Sequence, residues 1–239
     1  MNYVCLAAGK GTRFGQLGSY LQKCMYPVGL RPFLEHSLQN LRASRCLNLN
    51  EDSLLLVVGH YGEQVRSYFG KEYEGLSLRY AEQPEALGTG HALHLAYQTL
   101  GEEPLIAWLA DAYVPAEVFE AVYAHPEANV QTVGPGHAEE KDDLRVTADG
   151  SLITRAWRGE DRLYDVGIWK LSPEVLALMT TLRHGEYRAM PNLQYALEAG
   201  HRIGCVRVGE WVHLGGTLPT PEDNVLAVTR RVLELDAAR

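Results

Sequence analysis

Leu6-Ala7-Ala8-Gly9-Lys10-Gly11-Thr12-Arg13-Phe14-Gly15 follows directly on the first short apolar run, residues 3–7, and its reading decides the fold. Small residues and two glycines let the backbone approach a ligand closely, and successive amides in such a turn can form an anion-binding nest. Arg13 adds a planar, permanently charged donor fork suited to phosphate oxygens. The intervals between Gly9, Gly11 and Gly15 match neither the dinucleotide GxGxxG nor the GxxxxGK[ST] phosphate loop. A plain tight turn would use the same glycines, so the surroundings have to decide.

Outward from this loop, apolar runs recur at residues 54–58, 76–80, 105–109 and 130–133. Amphipathic stretches at 32–42, 61–69, 88–100 and 115–123 fall between most of them. Strand alternating with helix predicts right-handed βαβ units on a mostly parallel sheet, and the unbroken apolar runs predict strands covered on both faces. Beyond residue 134 the rhythm changes. Residues 144–148, a turn at Asp149-Gly150 and residues 152–157 read as a hairpin. A strand at 164–171 is followed by Ser172-Pro173, an N-cap and first-turn pair. A helix toward Gly200, a strand at 202–208 and a helix from about Pro221 follow. With no internal repeat or linker, residues 1–239 are expected to form one domain: a first half (1–134) and a smaller lobe (135–239) laid over the same sheet.

Composition restricts the function classes. The 239 residues are 46% hydrophobic, enough for one large core. Lys and Arg number 22 against 30 Asp and Glu, a formal charge of −8. That surplus argues against non-specific nucleic-acid binding, while a local basic cluster or a metal could still hold a small polyanion. Four scattered cysteines without a CxxC pair fit a reduced, cytoplasmic setting. No basic segment precedes the first apolar run and no 18 apolar residues run together, so neither signal peptide nor membrane span is expected.

Ten residues after Arg13 comes Lys23, with Pro27 four further on and Pro32-Phe33-Leu34-Glu35-His36 opening a helix. Together with Leu6-Ala7-Ala8-Gly9-Lys10-Gly11-Thr12-Arg13, this resembles the signature of the sugar-1-phosphate nucleotidyltransferases, or nucleotide-sugar pyrophosphorylases. The likeness continues at Val57-Val58-Gly59-His60-Tyr61-Gly62-Glu63, at Glu82-Gln83-Pro84-Glu85-Ala86-Leu87-Gly88-Thr89-Gly90-His91-Ala92, at Leu109-Ala110-Asp111 and at Asp165-Val166-Gly167-Ile168-Trp169. It covers nearly the whole chain, most specifically residues 5–113. It implies a Rossmann-like α/β fold and transfer of a nucleoside monophosphate to a sugar 1-phosphate, releasing pyrophosphate.

Carried over residue by residue, the resemblance implies that Leu6, Ala8, Gly9, Gly11 and Thr12 cradle the nucleotide, and that Arg13 and Lys23 neutralise its phosphates. Gln83 and Gly88 would read the base, with Thr89 also on the nucleotide, so that residues 1–134 would form the nucleotide-binding half and 135–239 the acceptor-binding half. A Gln amide offers donor and acceptor together, matching a uracil or thymine edge, which points to UTP or dTTP; Gly88 could equally be a helix N-cap. Asp111, at the carboxyl end of a central strand, would hold Mg²⁺.

Three departures touch the chemistry. The family's late Asp-x-Gly-Thr motif becomes Trp211-Val212-His213-Leu214-Gly215-Gly216-Thr217, with His213 in place of the second metal carboxylate. Imidazole suits Mn²⁺ or Zn²⁺ better than Mg²⁺. Three readings stay open: His213 ligates a softer metal or acts through water, Asp111 holds the metal alone with nucleotide oxygens, or the reaction is crippled. The usual Glu-Lys pair for the sugar phosphate becomes Trp157-Arg158, and the usual Asn before Gly-Ile becomes Asp165. Arg158 keeps a cation for a phosphate, joining Arg13 and Lys23 in a proposed cationic trio, while Trp157 and Asp165 would also suit a cationic acceptor such as a phosphorylated amino alcohol. A non-catalytic nucleotide-binding module is the third alternative. His91-x-x-His94 reads as a helix face, and Cys24 beside Lys23 is expected to have a somewhat depressed pKa.

Overall fold

In the computed structural model the described residues are 1–136, 142–180, 182–183, 187–209, 211–215 and 221–238, without the side chains at positions 13, 142, 180, 221 and 222. The stretch Glu139-Glu140-Lys141 and the pair Gly216-Thr217 lie outside them.

Strand β1 (Asn2–Ala7) shows how the sequence pattern becomes layers. Side chains alternate across a strand, and Tyr3, Cys5 and Ala7 enter one apolar cluster while Val4, Leu6 and Ala8 enter another. Both faces are therefore buried, as an unbroken apolar run requires. A short hairpin follows, β2 (Pro27–Val28) and β3 (Arg31–Pro32). Then come α1 (Phe33–Ala43), β4 (Ser53–Val58), α2 (Gly62–Phe69), the short β5 (Glu72–Tyr73) and β6 (Leu76–Glu82). Helix α3 (Thr89–Leu100) leads to β7 (Leu105–Leu109), the two-residue β8 (Ala112–Tyr113), α4 (Ala116–Ala124) and β9 (Val130–Pro135). The helices divide between the faces: Leu34, Val65 and Phe119 of α1, α2 and α4 pack on the Tyr3 side, and Leu93 of α3 packs on the Val4 side.

The second half adds β10 (Arg145–Asp149), β11 (Leu152–Arg155), β12 (Leu163–Leu171), α5 (Pro173–Ala177), α6 (Ala189–Glu198), β13 (Gly204–Arg207), β14 (Val212–His213) and α7 (Pro221–Ala237). The expected turn at Asp149-Gly150 joins β10 to β11 antiparallel, with Gly150 at φ 58°. Ser172 and Pro173 hold the N-cap and first-turn positions of α5, although the Ser172 hydroxyl makes no capping bond. Val175, Leu176 and Leu193 of α5 and α6 join the α3 face.

One ten-stranded sheet runs β10-β11-β13-β9-β12-β7-β1-β4-β6-β5 and takes strands from both halves of the chain. The expectation of a mostly parallel sheet is corrected. Parallel pairing is confined to the block β6-β4-β1-β7 and to β9 with β13; every other pairing in the sheet is antiparallel. The physical reason lies in the connections. Helical crossovers return the chain for parallel pairing in the first half, whereas the Asp149-Gly150 turn and the direct passage from β11 to β12 do not.

Within the parallel block the chain order is 3-2-1-4, so the winding direction reverses between β1 and β7. Ligand crevices in open α/β sheets form outside the carboxyl ends of strands at such a switch point. A third apolar cluster lies beside that edge: α7 sets Val225, Val228 and Val232 against Phe14, Val28, Tyr113 and Leu214. No helix among the described residues is long and apolar enough to cross a membrane.

Candidate active site

A cavity of about 340 Å³ opens at the carboxyl ends of β1 and β7. Leu6, Ala8, Gly9, Gly11, Thr12, Lys23, Gln83, Gly88, Thr89, Asp111 and His213 all line it. The structure thus brings most of the anticipated nucleotide side to one place. Arg13 is the second residue of the 3₁₀ segment Thr12–Ser19, and its side chain lies outside the described residues.

The glycine loop is tied down from beneath. Gln22, 3% exposed, sends its amide Nε2 to the carbonyls of Ala7 (2.8 Å), Gly9 (3.2 Å) and His60 (3.0 Å), and its backbone N–H donates to Gln64 Oε1 at 2.7 Å. With the Gly9 carbonyl turned to Gln22, the trans peptide directs the Lys10 N–H the opposite way. Gly11 takes φ 62°, and its carbonyl accepts from Phe14 N–H at 2.8 Å. Gln22 is a functional support that motif reading missed. Its only signal was a polar residue falling between the loop and Lys23.

Across the cavity Lys23, Asp111 and His213 are joined in one cluster. Lys23 Nζ donates to Asp111 Oδ2 at 2.5 Å, and His213 Nε2 lies 3.1 Å from Oδ1. Strand β14 delivers His213 by pairing with β8, His213 opposite Ala112, and Leu214 N–H donates to the Asp111 carbonyl at 2.8 Å. Gly215 N–H donates to His213 Nδ1 at 3.1 Å, so Nδ1 supplies a lone pair and Nε2 carries the proton toward Asp111. Burial alone would raise the Asp111 carboxyl, but His213 and the Lys23 ammonium overcome it and hold the group well below the usual carboxylate range. Asp111 is therefore an anion across the physiological range.

This donor set bears on the metal. Each Asp111 oxygen keeps a second lone pair, and Mg²⁺ is commonly held by one or two carboxylates plus substrate phosphates and water. Asp111 fits that role. His213 does not serve as a ligand in this arrangement, because its Nε2 proton is directed at Asp111 and its Nδ1 lone pair is engaged by Gly215. Among the described residues no group of three or more His, Cys, Asp or Glu could enclose a metal.

At the start of α3, Gly88 holds the N-cap with φ 113°, and a Cβ there would come within 2.4 Å of the Tyr187 carbonyl. Only glycine fits. Gln83 is buried; its N–H donates to the Val58 carbonyl at 2.8 Å, and its Nε2 meets Gly88 O at 3.2 Å and His91 Nδ1 at 2.8 Å. The expectation that Gln83 offers donor and acceptor together is corrected: both N–H bonds are directed at these two protein acceptors. His91 and His94 lie on α3, as expected of a helix face.

The anticipated acceptor residues are not brought to this cavity. Arg158, at φ 52°, places its guanidinium 4.4 Å above the Trp157 ring and its Nε 3.7 Å from Asp143. The cationic trio of Arg13, Lys23 and Arg158 is thus not assembled around Asp111. Asp165 is buried in the sheet, accepting from Gln131 Nε2 at 3.0 Å and Trp169 Nε1 at 2.9 Å. Alternation along β12 puts Asp165 on the same face as Trp169 and Leu171, which packs against α6, and the register shift between Asp165 and Trp169, with Gly167 at φ 81°, leaves that face unchanged. Cys24 also departs from expectation: burial, reinforced by Asp111, pushes its thiol up to about 12 despite the neighbouring lysine.

The family model of the MobA-like NTP transferase domain matches residues 3–204. A glucose-1-phosphate thymidylyltransferase of Streptomyces griseus is 28% identical, covering 100% of this chain and 68% of the relative. A UTP–glucose-1-phosphate uridylyltransferase of Haloferax volcanii is 26% identical over 88% of this chain and 89% of its own. A UDP-glucose pyrophosphorylase solved with UDP-glucose superposes with a TM-score of 0.79 at 16% identity, covering 98% of each chain, which shows a shared fold.

Proposed function

Because the chain belongs to the family of MobA-like NTP transferase domains, we propose that it transfers a nucleoside monophosphate from a pyrimidine triphosphate, UTP or dTTP, to a sugar 1-phosphate. The observation that carries this reading is the cavity at the sheet's switch point, with the glycine loop, the Lys23–Asp111 pair and Gln83 on its walls. The two relatives that span most of this chain act on glucose 1-phosphate by their names, which supports the acceptor class.

In this reaction an acceptor phosphate oxygen bonds to the α-phosphorus as the bond to the β-phosphate oxygen breaks, and pyrophosphate leaves. The acceptor is already ionised, so no general base is required; positioning and charge stabilisation supply the catalysis. The loop amides beside Gly9 and Gly11 receive the phosphates. Lys23, poised on Asp111, exchanges that carboxylate for phosphate oxygens when the nucleotide enters and neutralises the charge that develops on them. Mg²⁺, held by Asp111 with the nucleotide's own oxygens, would add Lewis-acid stabilisation, and Mn²⁺ would suit the same oxygen set. His213 keeps Asp111 oriented and ionised.

A second reading changes the acceptor to a cationic phosphoalcohol. In either case the smaller acceptor lobe belongs to the second half of the chain. Pyrophosphate release, measured for UTP, dTTP, CTP, ATP and GTP against sugar 1-phosphates and phosphoalcohols with Mg²⁺ and Mn²⁺ in parallel, tests both. The expected result is release with UTP or dTTP and a sugar 1-phosphate. Silence across the whole panel would overturn the enzyme reading and leave a nucleotide-binding module.

A further inference from the structure

We infer that His91 is a positioning residue for base selection: it fixes which end of the Gln83 amide faces the nucleobase. The inference rests on the reading that the cavity takes a pyrimidine triphosphate. Gly88 O can only accept a hydrogen bond, so the amide end 3.2 Å from it must be the NH₂; the reversed amide would oppose two oxygens at that distance. The same Nε2 is 2.8 Å from His91 Nδ1, which therefore receives the second hydrogen on its lone pair. Both anchors belong to the start of α3: Gly88 O also accepts from Ala92 N–H at 3.2 Å, and the His91 ring lies 5.9 Å from the Tyr187 ring. The clamp thus joins a backbone carbonyl at the N-cap of α3 to an imidazole on its first turn. His91 itself does not line the cavity; Gln83 does.

With both donors committed, Gln83 has its carbonyl Oε1 left to present to a base edge. An acceptor placed against position 3 of the ring pairs with the N3–H of uracil or thymine. Against cytosine the same oxygen meets the N3 lone pair, which repels it. A hydrophobic residue in place of His91 would leave one Gln83 hydrogen without its partner and free the amide to turn, weakening that discrimination. An asparagine at this position offers a carbonyl oxygen close to where Nδ1 lies.

The test is calorimetric binding of UTP and CTP to the intact protein and to His91→Leu, His91→Phe and His91→Asn, each checked for an unchanged melting transition. Phenylalanine keeps the ring volume should the leucine variant fail to fold. Wild type is expected to favour UTP over CTP by about tenfold, and the leucine or phenylalanine variant to lose roughly fivefold of that ratio, the scale of one neutral hydrogen bond. The asparagine variant is expected to stay within about twofold of wild type. An unchanged ratio in a folded Leu or Phe variant, or an Asn variant that loses as much as Leu, would overturn the inference while leaving the transferase reading standing; a wild type preferring CTP would overturn the inference together with the choice of UTP or dTTP. Binding of neither triphosphate by wild type would overturn both.

Discussion

Replacing Asp165 by asparagine is expected to stabilise the protein, and by more at alkaline than at acidic pH. Asp165 is 7% exposed, and its Oδ1 already accepts from Gln131 and Trp169. Burial raises its carboxyl to about 7, against the opposing effect of those two bonds and of a backbone bond from Gly167. A carboxyl whose folded-state pKa lies above its unfolded one binds its proton more tightly when folded. Its contribution is therefore fully present below about pH 4 and is lost as the pH rises through 7. A shift of roughly three pH units at 1.36 kcal/mol per unit sets a ceiling of about 4 kcal/mol on the cost of the buried charge. Between pH 5 and pH 8.5 that cost grows by about 2–3 kcal/mol, since part of it is already present at pH 5. Asparagine keeps the acceptor for both donors and removes the charge. Thermal unfolding of the two proteins at both pH values reads the difference directly. At roughly 2–4 °C per kcal/mol for a chain of this size, the gain in Tm at pH 8.5 is expected to exceed that at pH 5 by about 4–12 °C. A gain independent of pH, or a variant less stable at pH 8.5, would refute the reasoning.

Three further outcomes follow from the site. Gln22→Met keeps the side chain's volume but strips donors from the carbonyls of Ala7, Gly9 and His60; a loss of about 3 kcal/mol is expected, read as a Tm lower by about 6–12 °C together with weaker nucleotide binding. In Gly215→Ala the new Cβ would stand 2.5 Å from Lys23 Nζ, the end of a long side chain, and 2.7 Å from His213 Cε1, so the imidazole must shift as well. That variant is expected to melt within about 2 °C of wild type while pyrophosphate release falls about tenfold or more, because the ammonium is pushed off its position. Lys23→Met is expected to lower kcat by about 10²–10³, measured by the same release assay; a fall below about threefold would remove the lysine from the mechanism.

Much of this architecture is legible in the sequence. The β1, β4 and β7 runs are apolar because both faces are covered, and the loop after β1 stands where the winding reverses, so motif and topology indicate the same edge. What escaped depends on contacts that no local pattern encodes. Strands β8 and β14 are two residues each, too short for periodicity, yet their pairing sets His213 against Asp111 across about a hundred residues of chain. Gln22 and His91 act through partners brought in by other elements, and an isolated Gln or His carries no signature of that. Asp165 resembles an acceptor residue by its place before Gly167-Ile168, but Gln131, brought alongside on β9, and Trp169 hold it in the sheet, and hydrophobic patterning does not register such partners. Arg158 kept its charge in the right stretch of sequence, but its positive φ and its stacking on Trp157 turn it elsewhere.

The seat of α7 has a consequence for the order of folding. His36 Nδ1 meets Asp236 at 2.5 Å and Tyr113 OH donates to the same carboxylate at 2.9 Å, so the helix is fastened across 200 positions of sequence. It also packs against the 3₁₀ segment that continues the glycine loop and against the strand carrying His213. Contacts so distant in the chain form only after a large loss of chain entropy, and they are slow for that reason. The sheet, with Trp108 and Trp169 fully enclosed, can consolidate before them. During refolding, recovery of tryptophan fluorescence is thus expected to precede the capacity to bind nucleotide, with the interval between them set by the docking of α7.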